Sequence, residues 1–320
     1  MRMTGSPGTS VRTGTTPLVN AGGKDVYRIG TARHCPNSPT NPNLSFCCVN
    51  RISKKESKPG EIMNTKKDFI AVFDSGGGGI SVLRHLLRLM PGERFLYYGD
   101  SANAPYGTRS REEVKKLTFA AAEKLMEQGL KALVVACNTA TSAAITDLRQ
   151  AYPDTIVIGI EPALKLAAER FPGGRIGVMA TPMTLREEKF EGLLHRYGQS
   201  SRVYRLPAPG LVELVESGRA DSPEMDALMD NLLGPYRGQL DAVVLGCTHY
   251  PFAAAAISRV LGEKTLLLDG GEGTARETQR RLAAAGLLSE GPGELVIRNS
   301  LPGREIIDLC YTLLKQGSEA

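Results

Sequence analysis

The chain has 320 residues, 42% hydrophobic and 23% charged, with a formal net charge of +5; this composition suits one or two folded domains with a real core and excludes a fibrous or wholly disordered chain. The positive surplus sits in the first 67 residues, where eleven Lys and Arg stand against three Asp and Glu, so the remainder is slightly acidic and no nucleic-acid partner is expected. No run nears the roughly 20 apolar residues of a membrane helix, and six cysteines without a Cys-x-x-Cys pair speak against a disulfide framework, a zinc knuckle or another metal site.

Residues 1–62 are rich in Gly, Pro, Ser, Thr and Asn and carry no useful periodicity. Such a segment buries too little apolar surface to offset its ordering entropy, so a disordered leader is expected over residues 1–64. It has no apolar h-region, hence no secretory signal, and a cytoplasmic chain with free thiols is the expectation. Met63, just before the first apolar run, is a candidate start.

From there strand and helix alternate. Phe69–Phe73 is a short apolar run, and Asp74-Ser75-Gly76-Gly77-Gly78-Gly79 leads from it into a helix with Ile80, Leu83, Leu87 and Met90 on one face, closed by Pro91-Gly92. Phe95–Tyr98 reads as a second strand. Ser110-x-x-Glu113 is a capping box for a helix over 112–128 that ends at Gly129. Leu133–Ala136 is the next buried strand. This rhythm predicts βαβ units and a mostly parallel sheet, an α/β fold.

The chain also repeats itself. Ile70-Ala71-Val72-Phe73-Asp74-Ser75 is similar to Ile176-Gly177-Val178-Met179-Ala180-Thr181, and Ala132-Leu133-Val134-Val135-Ala136-Cys137 to Ala242-Val243-Val244-Leu245-Gly246-Cys247. Asp74 to Ala180 is 106 residues and Cys137 to Cys247 is 110, nearly one offset, as a duplication requires. Each copy places a cysteine where an apolar strand ends. Ligands of open parallel sheets bind beyond those ends. Two facing copies would therefore bring Cys137 and Cys247 to one ligand from opposite sides.

Two thiols flanking one carbon are what stereoinversion needs: a thiolate removes a proton from one face and a thiol returns one to the other. A free thiol titrates near 8.5 and needs a neighbour to ionise it or take its proton. Asp74 stands beside Cys137 in this reading, and His249 two residues after Cys247. Taken singly, a strand-end cysteine is more often core, and His249 is as readily a hydrogen-bonded structural histidine. The glycine loop is either an anion cradle or a tight turn. Pro105-Tyr106-Gly107 is either a turn or a backbone contact to ligand. Glu216, at helical spacing in Leu211–Glu216, reads as a solvated face. Cys35, Cys47, Cys48 and Cys310 have no such company and read as incidental.

Asp74-Ser75-Gly76-x-x-Gly79, Pro105-Tyr106-Gly107, Ala136-Cys137-Asn138-Thr139-Ala140 and Leu245-Gly246-Cys247-Thr248-His249-Tyr250-Pro251 together resemble the bacterial glutamate racemases of the aspartate/glutamate racemase superfamily, over roughly residues 66–312. The Thr-His-Tyr-Pro continuation separates them from the aspartate racemases. The resemblance implies interconversion of L- and D-glutamate without pyridoxal phosphate or other cofactor, supplying D-glutamate for peptidoglycan. It assigns proton transfer to Cys137 (on D-glutamate) and Cys247 (on L-glutamate). Asp74, Glu216 and His249 take assisting acid/base places. Substrate contacts carry to Asp74, Ser75, Tyr106, Gly107, Asn138 and Thr139, and on the other side to Thr181, Thr248 and His249. It also implies two similar parallel-sheet α/β domains related by pseudo-twofold symmetry with the site in the cleft, residues 65–161 plus 271–320 forming the first and 162–270 the second. Pairing of two copies is a further implication. The sequence departs from the family in its leader, in Ala208-Pro209 where many members have Cys-Pro, and in Gly77-Gly78 where a bulkier residue precedes glycine. The alternatives are a racemase of aspartate or another amino acid, and a two-lobed anion-binding module without turnover.

Overall fold

The computed structural model describes residues 26–28, 69–160, 163–186, 188–197 and 201–316. The first half runs β1 (Val26–Arg28), β2 (Phe69–Asp74), α1 (Ile80–Leu89), β3 (Arg94–Gly99), α2 (Arg111–Met126), β4 (Leu130–Val135), α3 (Asn138–Ala151) and β5 (Ile156–Gly159). The second continues with α4 (Leu164–Arg170), β6 (Arg175–Ala180), α5 (Pro182–Arg186), α6 (Glu188–Tyr197), β7 (Arg202–Pro207), α7 (Leu211–Glu216), α8 (Pro223–Leu233), β8 (Ala242–Leu245), α9 (Ala254–Leu261) and β9 (Leu266–Asp269). The chain then adds α10 (Gly271–Ala284), β10 (Glu294–Asn299) and α11 (Glu305–Lys315).

Two sheets result, ordered β1-β10-β3-β2-β4-β5 and β7-β6-β8-β9. Every pairing is parallel except that of β1 with β10. The four-strand orders β3-β2-β4-β5 and β7-β6-β8-β9 are the same path traced twice. The sequence repeats fall on the matched central strands, β2 with β6 and β4 with β8. Even the exit from each centre is duplicated: Ala136 N donates to Phe73 O at 2.8 Å and Gly246 N to Met179 O at 2.7 Å. This is an α/β fold of two similar parallel-sheet units.

The central strands are apolar on both faces because helices cover both; β4 and β8 are buried at every position. One apolar cluster runs from Ile70, Val72 and Val134 of the first sheet to Met179, Val243 and Leu245 of the second, so the units share a packed base beneath their facing strand ends. The capping box forms as expected at the start of α2, with Ser110 Oγ accepting from Glu113 N and the Glu113 carboxylate accepting from Ser110 N. Gly129 follows that helix with φ 72°, the left-handed residue that ends it.

Val26–Arg28 lie within the segment read as a leader. These residues pair antiparallel with β10, Val26 opposite Val296. Without that pairing β10 would be an open sheet edge with unpaired N–H and C=O groups. The rest of the expected leader, with Met63, Cys35, Cys47 and Cys48, lies outside the described residues. No helix among the described residues is long and apolar enough to cross a membrane.

Candidate active site

Both cysteines stand two residues past the end of a central strand, Cys137 after Val135 and Cys247 after Leu245, and line the same cavity, of about 100 Å³. Cys137 caps α3: its sulfur accepts from Ala140 N at 3.4 Å and lies 3.4 Å from Ser75 Oγ. Cys247 has an imidazole instead, its sulfur 3.7 Å from His249 Nδ1. The two thiols thus sit at equivalent places with unlike neighbours.

Burial and the nearby Asp74 carboxylate push the Cys137 thiol up to about 12, against the hydrogen bonds from Ser75 and Ala140. Asp74 therefore does not ease the ionisation of Cys137 by its charge. Its own carboxyl is fully buried and raised above the usual carboxylate range by that burial, against the pull of His249 and the Gly76 and Thr248 hydrogen bonds. Oδ1 accepts from Gly76 N at 2.9 Å and Oδ2 from Thr248 Oγ1 at 3.0 Å. Thr248 belongs to the second unit, so Asp74 is fixed from across the cleft.

On the other side His249 Nε2 is 2.7 Å from Glu216 Oε1. Burial pulls the imidazolium down, but the hydrogen bonds to Cys247 and Glu216 outweigh it and hold His249 well above its usual range. Burial likewise raises Glu216, and the hydrogen bonds from His249 and Gly77 outweigh it, so the carboxyl is lowered. Glu216 is no solvated face: its side chain is 20% exposed and committed to this pair. Helical periodicity could not reveal that, because both partners lie far away in sequence.

The glycine loop proves to be a cradle for the protein's own carboxylates. Gly76 N donates to Asp74 and Gly77 N to Glu216 Oε1 at 2.6 Å. A Cβ on Gly76 would strike Glu216, and one on Gly78 the His249 ring. One on Gly79 would come within 2.5 Å of Asp74 Cβ. At Gly76, Gly78 and Gly79 the loop packs too closely on Glu216, His249 and Asp74 for a side chain.

The remaining walls are hydroxyl- and amide-rich. Thr139 and Thr181, one from each unit, have hydroxyls 3.2 Å apart. Gly107 lies so close to Thr181 that a Cβ would fall 2.7 Å from its side chain. Tyr106 also lines the cavity, its hydroxyl donating to Asp100 Oδ2 at 2.7 Å. Of the twelve residues singled out from sequence, ten line the cavity. Asp74 and Glu216 stand behind its wall. Missed from sequence were Pro209, Gly210, Val212 and Glu213 of the lining; the Pro-Gly turn and the φ of 85° at Gly210 mark only a helix start, and Glu213 falls at helical spacing beside Glu216. Cys310 is fully buried in α11, lies outside the cavity lining and is pushed up to about 12 by burial, an inert core thiol.

Residues 75–278 match the Asp/Glu/Hydantoin racemase family. A glutamate racemase from Clostridium kluyveri is 50% identical over 258 residues, 79% of this chain and all of the relative. Among solved structures, a glutamate racemase isoform from Bacillus anthracis is 32% identical with a TM-score of 0.71, covering 78% of this chain and 94% of that one. The glutamate racemase from Francisella tularensis, solved in complex with D-glutamate, is 25% identical with a TM-score of 0.68, covering 79% and 95%. The duplicated fold, the paired thiols and these likenesses lead to one conclusion: the chain belongs to the Asp/Glu/hydantoin racemase family, in its glutamate racemase branch, and is an isomerase.

Proposed function

We propose that this enzyme interconverts L- and D-glutamate without a cofactor by two-base proton transfer between Cys137 and Cys247. The observation that carries the reading is the pair of thiols at equivalent strand ends of a duplicated fold, both lining one small cavity. The thiolate of Cys247 takes the α-proton of L-glutamate, and the S–H of Cys137 delivers a proton to the opposite face. D-glutamate runs the same path backwards, starting at a Cys137 thiolate. Each turnover leaves the two sulfurs with exchanged protons, so no oxidant, reductant or co-reactant is needed.

The raised Cys137 thiol suits a proton donor in the L-to-D direction. The His249 imidazolium beside Cys247 suits a thiolate there, since a neighbouring cation stabilises the anionic sulfur. Asp74 is the proton relay for Cys137, and Glu216 holds His249 in its charged form. Donors from Ser75, Asn138, Thr139, Thr181 and Thr248, with the Tyr106–Gly107 backbone, hold the two carboxylates of the substrate. The D-glutamate complex of the Francisella tularensis relative supports that substrate class. In the cell the reaction supplies D-glutamate for peptidoglycan from a cytoplasmic enzyme acting as a homodimer. Residues 65–161 with 271–320 form one domain and 162–270 the other, a division supported by strand membership.

Incubation with L-glutamate in deuterated water, with no cofactor added, should give D-glutamate carrying deuterium at Cα, and L-aspartate should stay inert beside it. Cys137→Ala and Cys247→Ala should each lower racemisation by roughly 10²–10⁴-fold or more, the loss of a positioned acid/base. Near-normal turnover in either variant would end the two-base reading.

A further inference from the structure

The glycine loop contains a peptide unit held at both ends. Its carbonyl belongs to Gly76 and its N–H to Gly77. The carbonyls of Gly77, Gly78 and Gly79 accept from the first amides of α1, but that of Gly76 receives no helix amide. It receives the hydroxyl of Tyr97 at 2.6 Å. The other end donates to Glu216 Oε1 at 2.6 Å, the same oxygen that lies 2.7 Å from His249 Nε2, and His249 Nδ1 faces the Cys247 sulfur at 3.7 Å. Tyr97 is fully buried on β3 and does not line the cavity. Gly99 leaves this carbonyl free for the phenol, since a Cβ there would lie 2.6 Å from Gly76 O.

We infer that Tyr97 is a positioning residue for the Cys247 half of the reaction, acting across the cleft through the Gly76–Gly77 peptide on Glu216 and His249. The phenol fixes the plane of that peptide and polarises it, since hydrogen bonds in a chain strengthen one another. The Gly77 N–H then aims at Glu216, and Glu216 presents its oxygen to His249. Among the described residues no equivalent chain reaches Cys137, whose sulfur is held by Ser75 and the Ala140 amide. A residue of the first unit thus tunes the thiol of the second.

This inference rests on the two-thiol racemase reading, and its test separates the two. In Tyr97→Phe, kcat/KM should fall about tenfold, the scale of one lost hydrogen bond in a charged network, and equally in both directions, because two enantiomers have equal free energy in water. The discriminating readout is the primary isotope effect on kcat/KM with α-deuterated substrates. The variant should raise it for L-glutamate, whose proton goes to Cys247, and leave it unchanged or lower for D-glutamate. Equal changes, no change, or a rise for D-glutamate alone would overturn the role of Tyr97. A wild-type enzyme that fails to racemise or to take up solvent deuterium would overturn the underlying reading instead. Should the variant not fold, hydrogen exchange in the wild type decides: a Gly77 amide as protected as those of β2 supports the clamp, and one exchanging like a surface loop removes it.

Discussion

Opposing forces meet on His249, and their balance fixes the direction of its shift. Burial alone would make the imidazole neutral; Cys247 and Glu216 keep it charged. Glu216→Gln removes the carboxylate and keeps the shape, so the His249 range falls toward its ordinary value. The alkaline limb of the pH profile of kcat/KM should therefore move to lower pH, with a loss of roughly 10–100-fold near neutrality. Stability follows the same sign. A group raised in the folded state contributes fully below its ordinary range and loses that contribution as pH rises through the raised one. Glu216, which is lowered, contributes above its ordinary range and loses that as pH falls. The pair is thus intact across neutral pH, and the Tm gap between wild type and Glu216→Gln should close as the solution becomes alkaline. A gap unchanged across that range would show that the histidine is neutral throughout.

The loop between β2 and α1 shows what an element's sequence reveals and what it hides. Four glycines in a row announce a tight strand-to-helix turn, and that much was legible. What the amides bind was not, because one partner is Glu216, 139 residues further on. The same limit explains the solvated-face reading of Glu216 and the even odds given to His249. The central strands were legible because burial on both faces leaves an unbroken apolar run; β7, exposed at half its positions, and the three residues of β1 were not, since an edge strand needs little apolar sequence. The structure now ranks the loop glycines. A Cβ at Gly77 meets nothing nearer than Leu313 at 3.4 Å, and its φ is not positive. Gly77→Ala should leave the fold intact and stabilise it by about 0.4–1 kcal/mol through the less flexible unfolded chain. Gly78→Ala drives a methyl into the His249 ring and should cost both stability and racemisation. Thermal melts of the two variants test the ranking, and equal effects would show that the loop adapts more freely than its packing implies.

At the scale of the whole molecule, the second unit interrupts the first, and the chain must be brought back across that insertion to lay β10 beside β3. A buried ion pair helps fasten the return. Glu93, just before β3, and Lys131, in β4, meet at 2.5 Å with side chains 1% and 6% exposed. Each also holds the segment between α10 and β10: Lys131 Nζ donates to Leu287 O at 2.9 Å, and Ser289 N donates to Glu93 Oε1 at 2.7 Å. No other donor among the described residues reaches Glu93 Oε2, so the pair depends on its own geometry. Such a pair is not inherently better than a well-packed apolar one, but losing one partner leaves the other unpaired and buried, which costs about 3–5 kcal/mol. Both residues lie at the amino-terminal ends of their strands, opposite the carboxyl ends that carry the thiols. Glu93→Ala should therefore lower the midpoint of urea unfolding by an amount equivalent to several kcal/mol, while kcat/KM below the melting range stays close to wild type. An activity loss in step with stability would mean that the return segment also shapes the cleft; an unchanged midpoint would mean that β10 is held by its sheet pairing alone.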